Sequence, residues 1–277
     1  MKKARIIYYP KAEEIKYRNE LLRFVKTIEQ GINTYIIPVV KSMDKHLDDI
    51  RHDDFIDDLE QALENVRDFI RPHELLLISK LMPIARSLGN YTTKQVFNSL
   101  KNKVEVDLNN LAVDIFSTRI SPSLEERYKV FALENVILIR SIEEQLLSSV
   151  AVIVTESYKS GFSTKDITDQ IYSRFDVSEN RAKLIARDQI GKLHSKIIQD
   201  EAASLNINYY VFSDSDDERT RASHHAMHNK ICKFNDQTVY KDSLQDKEWK
   251  KRSSISAVEL HPGIDYNCRC NFILVIP

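Results

Sequence analysis

The chain has 277 residues and a formal net charge of −1, with 40 Lys and Arg against 41 Asp and Glu. This balance gives no overall basic signal for nucleic-acid binding and no strong acidic signal. Three cysteines are too few for a full disulfide set, so we expect a reducing compartment. Neither a signal peptide nor a stretch of about 20 apolar residues is found, which predicts a soluble, intracellular protein with no membrane partner.

Long amphipathic helices are predicted for roughly the first 155 residues, and only five glycines occur in the whole chain. Residues 19–40 are predicted to form a helix that Gly31 perturbs and that ends near Pro38. Apolar residues then recur at helical spacing in two further stretches, which we interpret as core-facing stripes. They are Phe55, Leu59, Leu63, Val66 and Ile70 in the first stretch, and Ile142, Leu146, Val150 and Ile153 in the second.

The segment from residue 161 to residue 204 is predicted to form two helices. Ser163, followed three residues later by Asp166, is typical of a helix start. Ser178 is predicted to open a second helix, so that "DVS" at 176–178 forms the turn of a helix-turn-helix outline. Its inner face would carry Ala182, Ile185, Gln189, Leu193 and Ile197. DNA recognition and an ordinary helical hairpin are the two interpretations, and the mixed charges of the second helix favour the hairpin.

Strands are predicted near the C-terminus. "INYYVFSDSD" at 207–216 and "NFILVIP" at 271–277 are rich in β-branched and aromatic residues. A polar loop that leads into a short helix separates them. We therefore predict an α+β fold, with a predominantly α-helical part at 1–155 and a small mixed α/β module at 156–277.

Seven histidines and cysteines gather in this C-terminal module: His224, His225, His228, Cys232, His261, Cys268 and Cys270. Zinc takes such nitrogen and sulfur ligands in small, loop-rich modules. Alternatively, the histidines are surface residues and the cysteines are small buried hydrophobic residues. A catalytic role is disfavoured, because the chain has no His-Glu-x-x-His helix, no Gly-rich phosphate loop and no Gly-x-Ser-x-Gly elbow.

Five short motifs occur in a fixed order: "ARDQ" at 186–189, "YYVF" at 209–212, "DERTRASH" at 217–224, "HPG" at 261–263 and "NCRC" at 267–270. Together they resemble the phage Mu F-like family of minor head proteins. The resemblance covers roughly residues 160–277, and one position departs from the family pattern: Asn229 stands where a glycine is usual. Asn tolerates left-handed backbone, so we expect the turn to persist.

Within this resemblance, His224, His261, Cys268 and Cys270 become the favoured metal ligands, because His225, His228 and Cys232 lie outside the family pattern. We expect these four to form a closed structural zinc site, with Pro262 and Gly263 turning His261 toward the cysteines. Arg219, Arg221 and Arg269 are expected to pair with Asp216, Asp217 and Asp265.

The resemblance implies a minor structural component of a bacteriophage head rather than an enzyme. Such a protein would be associated with the portal and would act in head assembly or in genome packaging and delivery. Its expected partners are the portal protein and the major capsid protein, with packaged DNA as a further candidate. It would reside in the virion, and in the host cytoplasm during assembly. A DNA-binding virion protein and a metal-dependent enzyme are the alternative hypotheses.

Overall fold

The computed structural model describes residues 2–42, 52–101 and 122–276. Its helices are α1 (Lys11–Gly31), a π-helical segment (Ile32–Ile36), α2 (Ile37–Ser42), α3 (His52–Ser79), α4 (Leu81–Leu100), α5 (Pro122–Ser160), α6 (Thr164–Ser204), the short α7 (Ala222–His225) and a 3-10 turn (Arg252–Ile255). Its strands are β1 (Lys2–Ile7), β2 (Tyr209–Ser213), β3 (Ile231–Lys233), β4 (Val239–Lys241), β5 (Lys250–Lys251) and β6 (Asn271–Ile276).

The strands form one sheet in the order β1-β6-β2-β3-β4-β5, and every neighbouring pair is antiparallel. Helices fill most of the N-terminal part of the chain, and five of these six strands belong to the C-terminal part. The predicted α+β class is therefore confirmed. None of the described helices combines the length and the apolarity that crossing a membrane would require.

The chain separates into two compact units. The sheet unit comprises Met1–Glu14, Met82–Phe131 and Arg187–Pro277, and the helical unit comprises Ile15–Leu81 and Ala132–Ala186. Both units draw residues from either side of position 155, where the sequence suggested a boundary. The assignment of portal or capsid docking to residues 1–155 stays a prediction.

The core of the sheet unit is built around β6, which β1 and β2 flank. Ile7 pairs with Phe272 across the β1–β6 ladder, and Tyr210 pairs with Leu274 across the β2–β6 ladder. Residues of α4, including Val96, belong to the same buried cluster. β1 was not predicted, since the first 155 residues were expected to be helical. Residues distant along the chain therefore complete the core that the short C-terminal strands could not form alone.

In the helical unit, the predicted apolar stripes are buried. The second stripe, from Ile142 to Ile153, is buried throughout, and in the first stripe only Leu63 is partly exposed. A side chain at Gly31 would meet Val66 at 3.1 Å and Phe69 at 3.2 Å, so α1 packs closely on α3 at this point. Helical spacing thus identified core-facing residues correctly.

Two predicted helix boundaries were wrong. Helical structure does not end near Pro38: a π-helical segment follows Gly31, and α2 then continues to Ser42. Pro38 is the second residue of α2, which directly follows the π-helical segment, so the wider turn lies just before the residue that cannot donate a backbone N–H. The helix-turn-helix outline was also wrong, because α6 runs unbroken from Thr164 to Ser204.

The start and the buried face of α6 agree with the sequence. Ser163 Oγ accepts a hydrogen bond from the Asp166 backbone N–H at 3.2 Å, which confirms the predicted cap. The face of Ala182, Ile185, Gln189, Leu193 and Ile197 is buried. Ser178, which was expected to start a new helix, is buried as well. The same buried face therefore continues through "DVS", and this packing outweighs the weak helix propensity of those residues.

Candidate functional site

Cys268 lies at the centre of a small hydrogen-bonding network in the sheet unit. The backbone N–H groups of Gly263 and Cys270 both donate to Cys268 Sγ, at 3.3 Å and 3.4 Å. Gly263 has a φ of 81° in the turn that follows His261, as the "HPG" motif predicted. Cys268 and Cys270 are both free and buried. Two N–H donors stabilise a thiolate more than a thiol, so the turn favours negative charge on Cys268.

His224 approaches both sulfur atoms from α7. Its Nδ1 lies 3.3 Å from Cys270 Sγ and 3.5 Å from Cys268 Sγ. On the other side of the ring, Nε2 lies 2.8 Å from Asp265 Oδ2, and the Arg221 guanidinium lies 2.8 Å from the same oxygen. A carboxylate at Nε2 holds a proton there and leaves Nδ1 free to accept one or to bind a metal.

The pKa values of the two thiols shift in opposite directions. The pKa of Cys268 is lowered, first because the Cys270 thiol donates a hydrogen bond to it, and also because of its bond to His224. That same bond, together with burial, raises the pKa of Cys270. Burial alone would lower the pKa of His224, but its bonds to Cys268 and Asp265 outweigh burial, so the pKa is raised. Of the two thiols, Cys268 therefore loses its proton more readily than Cys270.

The ligand atoms of His224, Cys268 and Cys270 all lie within 4.8 Å of one another. A tetrahedral zinc ion with ordinary bond lengths would separate a bound imidazole nitrogen from a bound thiolate sulfur by roughly 3.5 Å. The two nitrogen–sulfur distances of 3.3 and 3.5 Å fit this value. Across residues 2–42, 52–101 and 122–276, this is the one cluster of three such donors.

His261, the fourth predicted ligand, does not belong to that cluster. Its Nδ1 lies 2.8 Å from the Tyr210 hydroxyl, which also accepts a hydrogen bond from Arg252 Nη2 at 3.2 Å. Burial lowers the pKa of His261 to about 4, and the charges of Arg252 and Lys196 act in the same direction. His261 is therefore a neutral side chain bound to the sheet. Three of the four predicted ligands meet, and the binding of zinc stays a prediction.

The remaining histidines of the loop converge on Asp214, which sequence reasoning did not single out as a partner. His225 Nδ1 and His228 Nδ1 each lie 2.7 Å from one oxygen of its buried carboxylate. His224 and His228 do not share a helical face, because α7 ends at His225. Asn229 then adopts the left-handed conformation that its sequence position predicted, with a φ of 63°.

Cys232 lies outside the three-donor cluster, beside Tyr210 and Arg252. It is fully buried in the core of the sheet unit, and burial raises its pKa to about 11. It is therefore an inert thiol of the kind expected for a small hydrophobic residue.

The "ARDQ" and "NCRC" motifs are joined by hydrogen bonds. Arg187 Nη1 donates to Asn267 Oδ1 at 2.7 Å, and the Asn267 backbone N–H donates to Asp188 Oδ1 at 3.4 Å. Arg187 also reaches Glu14, a carboxylate whose side chain is only 3% exposed. Arg269 lies 3.9 Å from the second oxygen of Glu14. The residues that flank the cysteines thus fix the loop to α6 and to the start of α1.

The predicted arginine–aspartate pairs are found in part. Arg221 pairs with Asp265, as expected. Arg219 contacts Asp217 through its backbone N–H, which donates to Oδ1 at 3.0 Å. Arg269 pairs with Glu14 and not with an aspartate. Glu14 lies far outside the C-terminal motifs, so no local sequence pattern pointed to it.

An open cleft of about 230 Å³ adjoins the three ligand residues. His224, Cys268 and Cys270 line it, together with the polar and basic residues Ser215, Arg219, Thr220, Arg221, Tyr266, Asn267 and Arg269. The cleft gives solvent and small polar molecules a route toward the sulfur atoms.

Comparison with known proteins identifies the segment that carries these motifs. Residues 148–273 match the family model described as Phage Mu protein F like protein. This segment is a Phage Mu protein F-like domain. The resemblance inferred from the motifs is therefore confirmed. The family suggests a phage head morphogenesis protein.

The chain is also similar to an uncharacterized protein of Haemophilus influenzae, strain Rd. The two are 31% identical over 182 residues, which are 66% of this chain and 35% of the relative. The chain thus spans about a third of the length of this relative. No solved structure matches the chain.

Proposed function

We propose that this protein is a minor, portal-associated component of a phage head that acts in head assembly or in genome packaging and delivery. The observation that carries the proposal is the match of residues 148–273 to the Phage Mu F-like family. The proposed partners are the portal protein and the major capsid protein, met in the host cytoplasm while heads assemble.

The geometry around the motifs supports a structural role. Asn267 and Arg187 join the cysteine loop to α6, and Arg221 and Asp265 join it to α7. These motif residues are engaged with one another and with the backbone, so they fix the fold of the domain.

The experiment is the recovery of a tagged full-length chain from phage heads. Heads are purified before and after the genome is released from them and digested with nuclease, and protein copies are counted relative to the portal protein. We expect the chain to stay with emptied heads in low copy number and to cross-link to portal subunits. Its absence from purified heads would contradict the proposal.

The nuclease step separates this function from the DNA-binding alternative. A protein held by the shell and the portal stays with heads after the genome is removed, whereas a protein held by DNA leaves with it. DNA affinity measured in parallel on the purified chain is expected to be weak and to fall steeply with salt, as for binding through phosphate contacts alone.

A further inference from the structure

We propose that the sheet unit binds one zinc ion through His224 Nδ1, Cys268 Sγ and Cys270 Sγ, with a water molecule from the adjoining cleft as the fourth ligand. This site is independent of the proposed role in the head, because its test requires only the purified chain. The ion would join α7 to the loop that precedes β6.

The donor atoms already have the spacing that the ion requires. Both nitrogen–sulfur distances, 3.3 and 3.5 Å, match the roughly 3.5 Å of tetrahedral zinc ligands. The three residues are 3% to 4% exposed, so their positions are fixed by packing. Little ordering entropy therefore opposes binding, in contrast to a site formed from mobile side chains.

The groups behind the ligands are those that support a metal-bound histidine and a metal-bound thiolate. Asp265 Oδ2 faces Nε2 of His224 at 2.8 Å, which directs Nδ1 toward the sulfurs. A carboxylate behind a ligating histidine is the common arrangement at zinc sites. The N–H groups of Gly263 and Cys270 point at Cys268 Sγ and offset the charge of a thiolate there.

The ligand set selects the metal. Two sulfurs and one imidazole nitrogen suit zinc, whereas magnesium and calcium prefer oxygen ligands. Three protein donors leave one tetrahedral position, and His261 does not fill it because neither of its ring nitrogens lies within the cluster of donor atoms. All three ligand residues line the cleft, so solvent reaches the ion from that side. This arrangement differs from the closed four-residue site that the sequence suggested.

The first test measures metal content and cobalt spectra of the full-length chain purified under reducing conditions. We expect one zinc per chain and, after exchange for Co²⁺, an intense thiolate-to-cobalt charge-transfer band. Cys268→Ser and Cys270→Ser should each weaken this band, and the double variant should abolish it. The matched control is Cys232→Ser, which alters the third cysteine and should leave both zinc content and spectrum unchanged.

A wild-type chain without stoichiometric zinc and without the charge-transfer band would overturn the proposal, whether or not the variants fold. So would a band that survives the double cysteine substitution.

Two further measurements test the surroundings of the ion. Asp265→Asn is expected to weaken zinc binding by about 10- to 100-fold, because the amide orients His224 less firmly. Azide added to the cobalt-loaded chain should shift the visible bands without releasing the metal, since it replaces the bound water. An unchanged spectrum at saturating azide would overturn the assignment of water as the fourth ligand.

Discussion

Gly191 on α6 and Gly263 in the turn after His261 face each other backbone to backbone. A Cβ atom on Gly263 would lie 2.7 Å from the Gly191 carbonyl oxygen, and a Cβ atom on Gly191 would lie 3.2 Å from the Gly263 carbonyl oxygen. Gly263 also donates its N–H to Cys268 Sγ. The close approach of the turn to α6 therefore sets the position of the cysteine loop.

Replacing Gly263 with alanine should lower the free energy of unfolding by about 2–4 kcal/mol, because a positive φ and a backbone clash both act against a side chain. Gly161→Ala is the matched control. Gly161 also has a positive φ, of 69°, but a Cβ atom there meets nothing within 4 Å. Gly161→Ala should lower the free energy of unfolding by about 1–2 kcal/mol, and this loss comes from the positive φ alone. Equal losses in urea denaturation of the two variants would contradict the close packing of the turn.

Tyr210→Phe should destabilise the sheet unit by about 1–3 kcal/mol, because it removes the hydroxyl that satisfies two buried groups. Those groups are Arg252 Nη2 at 3.2 Å and His261 Nδ1 at 2.8 Å, and Arg252 is fully buried. Tyr209→Phe, on the neighbouring residue of β2, should change stability by less than about 0.5 kcal/mol. Thermal and urea denaturation of both variants measure the difference. Similar stabilities of the two variants would show that the Tyr210 hydroxyl contributes nothing.

His194 should make the folded state sensitive to acid. Burial lowers its pKa to about 3, and its Nδ1 lies 2.8 Å from the buried Thr92 hydroxyl. In the unfolded chain this histidine has an ordinary pKa near 6.5, so it binds a proton at pH values where the folded chain does not. The free energy of unfolding therefore falls as pH falls below about 6.5. The slope from this residue is about 1.4 kcal/mol per pH unit, or about 2 kcal/mol by pH 5.

His194→Asn is the test, because its amide reaches toward Thr92 as Nδ1 does but does not titrate. The difference in unfolding free energy between wild type and variant should shift in favour of the variant by about 2 kcal/mol between pH 7 and pH 5. A constant difference across this range would mean that the histidine is protonated equally in both states.

A fragment that begins at residue 148, where the family match begins, should not reach the native fold. It lacks β1, which pairs with β6, and it lacks α4, whose Val96 and Leu100 lie in the same buried cluster. Circular dichroism and proton NMR of the fragment measure this. Well-dispersed amide signals and cooperative unfolding would contradict the expectation.

Point substitutions in the full chain test the contribution of β1 separately. Ile7→Ala should cost about 2–5 kcal/mol, because Ile7 is fully buried against the sheet core. Arg5→Ala alters an exposed residue of the same strand and should cost less than about 0.5 kcal/mol.

Local patterns predicted the features that depend on neighbouring residues. Helical spacing identified the stripe from Ile142 to Ile153, and Ser163 was recognised as a cap because its partner is only three residues away. β1 was missed because a strand of six residues is stabilised by β6, at the far end of the chain. The break expected at Ser178 was wrong, since packing along α6 determines its continuity and local propensity does not.

In the candidate site too, local sequence patterns predicted some contacts and missed those that depend on distant residues. The motifs placed His224, Cys268 and Cys270 together, because only one residue separates the two cysteines and His224 lies in another motif of the same family pattern. His261 was misplaced, since the direction of its ring depends on Tyr210 and not on the turn beside it. Glu14 and Asp214 could not be found from their surroundings in sequence, because their partners are assembled only by folding.

The two outer strands of the sheet also affect whether copies of the chain can associate edge to edge when they are concentrated. β1 exposes Lys2, Lys3 and Arg5, and its register shifts between Lys3 and Ile6. At the opposite margin, β5 is two residues long and consists of Lys250 and Lys251, both exposed. Positive charge and short or irregular strands at a sheet margin hinder the addition of a strand from another molecule. Copies of the chain held at high local density can therefore stay individually folded and not extend one another's sheets into fibres.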